Sequence, residues 1–91
     1  MLRVYKRSGR IENFDNHRLM TSLLNTGYDM NFTLNQRESE LLVEEIKDKI
    51  IDIRGEDGLT STFEIRALVT YILRKRGYSD LAYHYYKNRF N

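Results

Sequence analysis

The stretch from Val4 to Arg18 constrains the fold more than any other, because local rules alone assign it a strand, a reversal, a second strand and a helix start. Val4 to Arg7 reads as a short strand, Ser8-Gly9 as a tight reversal, and Arg10 to Phe14 as the return strand of a hairpin. Asp15 follows as a helix N-cap, its carboxylate suited to accept from the free N–H groups of the first turn. Phe14 stands where it can staple onto Leu19, so hairpin and helix start form one rigid unit. Within it Arg3, Lys6, Arg7 and Arg10 carry positive charge, with no acid among residues 1–11. They converge near a helix N-terminus, where unpaired N–H groups and the dipole already favour anions. That combination suits phosphate.

Helical spacing governs the remainder. After Asp15, the apolar positions Leu19, Met20, Leu23 and Leu24 predict a helix over 16–26, with Gly27 as its stop. Asn35 and Glu38 form a capping box that opens a second helix over 36–54, whose stripe Leu42, Val43, Ile46, Ile50 and Ile53 ends before Gly55. A third, over 62–76, is opened by Ser61-x-x-Glu64 and repeats Ile65, Leu68, Val69, Ile72 and Leu73 up to Gly77. The fourth, over 80–90, has Tyr78 and Tyr83 in staple positions. Its apolar side is Leu81, Ala82, Tyr85 or Tyr86, and Phe90. Gly58-Leu59-Thr60 can lie extended against the hairpin at 2–14, and Tyr28 to Leu34 is a helix–helix link. The expected architecture is one domain over 1–91, a helical bundle with a small sheet.

With 91 residues the chain makes a single small domain, which buries only about 60–65% of the surface of its unfolded form. The absence of Cys excludes disulfides, thiolate metal sites and cysteine nucleophiles. No apolar run reaches membrane-span length and the N-terminus has no signal-like apolar core, so a soluble, cytoplasmic chain is expected. The net charge of +2 argues against a dedicated nucleic-acid binder. Charge is nonetheless uneven: residues 38–57 are dominated by acids, and the last third is basic through Arg66, Arg74, Lys75, Arg76, Lys87 and Arg89. If the two ends pack together they make a basic patch and leave the acidic helix facing water. His17 and His84 have no partner at ligand spacing, so neither metal nor acid–base work is assigned to them. No Walker A pattern and no Ser/His/Asp or Cys/His set is present. Catalysis is not expected.

The pattern Val-x-Lys-Arg-x-Gly-x-x-x-x-Phe-Asp-x-x-Arg, over residues 4–18, resembles the ATP-cone family. This is the nucleotide-sensing module of ribonucleotide reductases and of the zinc-ribbon repressor that controls their genes. Thr62-Phe63-Glu64-Ile65-Arg66-Ala67-Leu68-Val69 is similar to the family's third helix, and Tyr78 to Arg89 to its closing helix. The resemblance implies an α+β, mainly α fold in which a three-stranded sheet caps a four-helix bundle. It further implies binding of ATP or dATP with Mg²⁺, no catalysis or metal site of its own, and control of a reductase catalytic domain or subunit, or assembly with copies of itself. Lys6 is then the chief phosphate contact, with Arg7, Thr62, Arg66 and Lys87 assisting and Arg89 beside them; Val4, Glu12, Asp15 and Arg18 belong to base and ribose. A carboxylate can accept from the adenine amino group, whereas guanine presents a carbonyl there. Ser8 stands where the family often has Asp, and Arg18 where it often has Lys, so Arg18 can hold either a ribose or a phosphate oxygen.

Plainer readings accompany each of these. Lys6 and Arg7 fall on opposite faces of an ideal strand and can be solvated edge charges. Asp15 can be a pure N-cap, and Thr62 with Arg66 a cap and an exposed cation. The Tyr residues between 71 and 86 can be core, a partner surface or a base-stacking platform. The alternative function is accordingly a small helical nucleic-acid-binding or transcription-associated module.

Overall fold

The computed structural model describes residues 1–89, with side chains through Lys87. Its elements are β1 (Arg3–Tyr5), β2 (Ile11–Asn13), α1 (Asn16–Asp29), α2 (Gln36–Arg54), β3 (Leu59–Ser61), α3 (Thr62–Lys75) and α4 (Ser79–Arg89). The fold is α+β and mainly α. The sheet has the order β2-β1-β3, with β1 antiparallel to β2 and parallel to β3. Residue pairs Val4 with Glu12 and Val4 with Thr60 set its register, so the buried Val4 side chain points inward and its neighbours Arg3 and Tyr5 outward.

The hairpin differs from the expected two-residue reversal. Strand pairing stops at Tyr5, and Arg7-Ser8-Gly9 forms a three-residue loop in which Lys6 accepts from the Gly9 N–H at 2.9 Å and donates to Arg10 at 2.8 Å. Gly9 has φ of 90°, the left-handed conformation that closes such a loop as a bulge. Arg7 therefore sits in the loop rather than on a strand, and the alternation argument does not apply to it.

Caps account for most helix ends. Asp15 accepts from the His17 and Arg18 N–H groups, Asn35 from Glu38, and Ser61 from Glu64. At Gly27 the expectation fails: α1 runs through it to Asp29, and the left-handed residue that ends the helix is Asn31, with φ of 58°. The Phe32 N–H donates to the Gly27 carbonyl at 2.8 Å and the Asn31 N–H to Tyr28 at 3.1 Å, the paired bonds of a Schellman motif. Gly27 is needed for a different reason, since a Cβ there would lie 2.4 Å from the Phe32 carbonyl oxygen. α3 stops at Lys75, with Gly77 left-handed as expected. The fourth helix starts at Ser79. Of its two staple residues, Tyr78 packs edge-on against Phe32 with ring centroids 6.1 Å apart, and Tyr83 is exposed beside His84.

The helices close a ring in which α2 contacts α1 and α3, and α4 contacts α1 and α3. Leu23, Ile46, Ile50, Val69, Leu73 and Ala82 are fully enclosed at its centre. Of the two candidates on α4 it is Tyr85 that is buried, Tyr86 being exposed, and Ile53 lies outside the core. Phe90, expected on the apolar side of α4, lies outside the described residues. No helix among the described residues is long and apolar enough to cross a membrane.

Candidate functional site

A cavity of ≈ 260 Å³ opens where β1, β2, the first turns of α1 and α3, and α4 meet. Six of the ten residues expected in the site line it: Val4, Lys6, Glu12, Asp15, Arg18 and Thr62. They arrive from separate parts of the chain for identifiable local reasons. Val4 points inward from the central strand and forms apolar floor with Leu19, Ile65 and Tyr85. Glu12, its cross-strand partner, shares that inward face. Lys6 follows the end of β1, half-buried, its main chain held by the hairpin loop.

The acidic side of the site is organised by cations. Glu12 Oε2 accepts from Arg10 Nη2 at 2.5 Å, and Oε1 accepts from Arg18 Nη1 at 3.2 Å. The hydrogen bond from Arg10 is the main reason its carboxyl is held below the usual Glu range; desolvation opposes it, and the charges of Arg10, Lys6 and Arg18 add to the lowering. Asp15 is an N-cap as the plain reading has it, Oδ1 accepting from the His17 N–H at 2.9 Å and the Arg18 N–H at 3.2 Å, and it also borders the cavity. Its Oδ2 lies 3.9 Å from Arg18 Nε. Opposite, Thr62 opens α3 and donates to the Tyr5 carbonyl at 3.5 Å, tying the helix start to the end of β1.

Three expected phosphate residues do not line the cavity. Arg7 is in the exposed hairpin loop. The Arg66 guanidinium lies over the Tyr86 ring at 4.6 Å and the Phe63 ring at 5.8 Å. Lys87 lies over Tyr83 at 5.8 Å. The Arg89 side chain is outside the described residues. The cavity also includes residues that the sequence reading did not select, notably Asn13, Ser22 and Tyr85. Ser22 was findable, since it lies one helical turn beyond Arg18 on the same face of α1. Arg10, outside the cavity, was findable in the same way, since it lies two residues before Glu12 and strand alternation puts the two side chains on one face.

A larger groove of ≈ 720 Å³ runs between α2 and α3, but its chemistry is opposite. Glu38, Glu44, Glu45, Asp48 and Asp52 face Lys49, Lys75 and Arg76 there, and Glu45 already holds Arg76 at 2.8 Å and Lys75 at 3.8 Å. A polyanion is repelled from it, and the acidic face of α2 stays open. The smaller cavity is the one with cations and a helix N-terminus at its rim. Among the described residues no group of three or more His, Cys, Asp or Glu side chains is placed to hold a metal ion.

Residues 2–89 match the family model of the ATP cone domain. The search of curated proteins gives no match.

Proposed function

Because the chain belongs to the ATP-cone family, a family of nucleotide-binding regulatory modules, we propose that it senses ATP or dATP, bound with Mg²⁺ in the cavity between hairpin and helix starts. The observation that carries this reading is the convergence of Lys6, Glu12, Asp15, Arg18 and Thr62 on one cavity from the hairpin, α1 and α3. At ≈ 260 Å³ the cavity is slightly smaller than the roughly 300–1,000 Å³ that encloses most of a small ligand. It suits a base and ribose against Val4, with the triphosphate extending over the rim. There Lys6 and the start of α3 supply positive charge, and Arg7, Arg66 and Lys87 are within the same end of the molecule to assist. Glu12 and Asp15 offer acceptors to the adenine amino group, and a guanine carbonyl at that position is repelled.

With no base positioned to activate water among the described residues, the nucleotide is held and not cleaved. Its effect is on an equilibrium, so ATP and dATP must bias two packings or assembly states differently. A ribonucleotide reductase catalytic domain or subunit in the cytoplasm, or further copies of this chain, is the partner proposed to read that equilibrium. The test is a titration with ATP, dATP and GTP in Mg²⁺, following amide shifts and oligomeric state together, with Lys6→Ala as control. Micromolar adenine-nucleotide binding, about −8 kcal/mol, is expected, weakened about tenfold or more by the substitution. Equal affinity for GTP removes the base-reading role of Glu12 and Asp15.

Tyr83 and Tyr86 are exposed beside Lys87 and Arg66, and this favours the second reading, a base-stacking nucleic-acid surface. Steeply salt-dependent binding to single strands without saturable ATP binding would select it.

A further inference from the structure

Arg10 does not border the cavity, yet it makes the shortest contact to a residue that does. Both Glu12 oxygens are engaged, one by Arg10 at 2.5 Å and the other by Arg18 at 3.2 Å. The two cations differ in what they can do when a polyanion arrives. Arg18 borders the cavity and its side chain is 68% exposed, with a long 3.9 Å contact to Asp15 as its other acidic neighbour. A triphosphate competes for it directly. Arg10 is 74% exposed, lies outside the cavity, and is two residues from Glu12 along the extended chain, so both side chains leave the same face. It can keep hold of Glu12 while Arg18 turns to the ligand.

We infer that Arg10 is a positioning residue for base discrimination: it anchors the Glu12 carboxylate at the cavity wall so that its free acceptor capacity meets the exocyclic amino group of an adenine base. This rests on the nucleotide reading above and adds to it a residue with no ligand contact of its own. Without Arg10, the cation hydrogen-bonded to Glu12 is Arg18, and the carboxylate is drawn along when Arg18 moves to phosphate. The carboxylate then no longer presents a fixed acceptor, and the site keeps its affinity for phosphate while losing its preference between bases. The Arg10 hydrogen bond also holds the Glu12 carboxyl below its ordinary range.

The experiment compares wild type, Arg10→Ala, Arg10→Lys, Glu12→Ala and the double variant Arg10→Ala/Glu12→Ala by calorimetric titration with ATP, GTP and inorganic tripolyphosphate. Thermal unfolding accompanies each protein. Arg10→Ala is expected to lower the ATP-to-GTP affinity ratio about five- to tenfold with tripolyphosphate binding unchanged, and Arg10→Lys to recover part of the ratio. In the Glu12→Ala background the Arg10 substitution should change the ratio no further, because the two act as one unit. An unchanged ratio in Arg10→Ala overturns the inference. So does a parallel loss of ATP, GTP and tripolyphosphate binding, which would make Arg10 a general phosphate cation. If wild type binds no nucleotide, or binds ATP and GTP alike, it is the underlying nucleotide reading that fails, and this is seen before any variant is measured.

Discussion

Replacing Gly27 by Ala sets two physical effects of opposite sign against each other at one position. Helix propensity favours Ala over Gly inside α1 by about 1 kcal/mol. The added Cβ, however, would meet the Phe32 carbonyl oxygen at 2.4 Å, about 1 Å inside normal contact. The obstacle is backbone, so relief requires the segment after α1 to retreat. That movement strains the Phe32-to-Gly27 and Asn31-to-Tyr28 hydrogen bonds, now 2.8 and 3.1 Å, each worth about 1 kcal/mol. It also draws Phe32 from the Tyr78 ring, 6.1 Å away, a contact worth roughly 0.5–1.5 kcal/mol. Overpacking costs of about 1–3 kcal/mol cover the same displacement. After the propensity gain, a net loss of about 2 kcal/mol is expected, or a fall in Tm of about 8–16 °C for a domain of this size. Thermal unfolding followed by circular dichroism, with urea midpoints at constant slope as a second measure, reads it. Asn31→Gly is the companion, since it relaxes the φ of 58° and should leave Tm unchanged or slightly raised. A Gly27→Ala protein as stable as wild type, or more stable, would refute the close-approach argument.

Two further outcomes follow from the same geometry. Glu64 is held below the usual carboxylate range chiefly by its hydrogen bond to Arg54, with Thr60 donating at 2.6 Å. A folded-state pKa below the unfolded one means that this contribution is present above the ordinary Glu value of 4.5 and is lost as pH falls through the lowered value; Tm should therefore drop below that pH in wild type, and less steeply in Glu64→Gln. Thr62→Val keeps the side-chain shape at the mouth of the cavity and removes its hydroxyl, so ATP affinity measured by calorimetry should fall about three- to tenfold, with a small fall in Tm from the lost 3.5 Å bond to the Tyr5 carbonyl. An affinity equal to wild type would take Thr62 out of the phosphate site.

Much of this arrangement is written in short-range pattern. Asp15, Asn35 and Ser61 cap the helices that the sequence places after them, because a cap needs only a side chain and an N–H two or three residues away. The apolar stripes of α2 and α3 face the core as their spacing requires, with Ile65 and Leu68 half-buried at its edge and Ile53, near the C-terminal end of α2, exposed outside the helix ring. The convergence of Lys6, Glu12, Asp15 and Arg18 is likewise almost local, since hairpin and helix start are contiguous. What pattern could not decide were choices between neighbours. Tyr85 and Tyr86 are equivalent to a periodicity argument, and only the packing of α4 against α1 and α3 buries the first and exposes the second. Arg66 has the spacing of a phosphate ligand but lies between Phe63 and Tyr86, rings whose positions depend on how two helices cross.

The sequence by itself determined the elements, their N-caps, the charged hairpin and the family, because these depend on residues within a turn or two of one another. Tertiary structure alone decided that β3 pairs parallel to β1, that Thr62 at the start of α3 meets the end of β1, and that Tyr85 rather than Tyr86 enters the core. Each of these joins groups whose mutual distance is set by register or by packing across the molecule, and no local rule measures that distance.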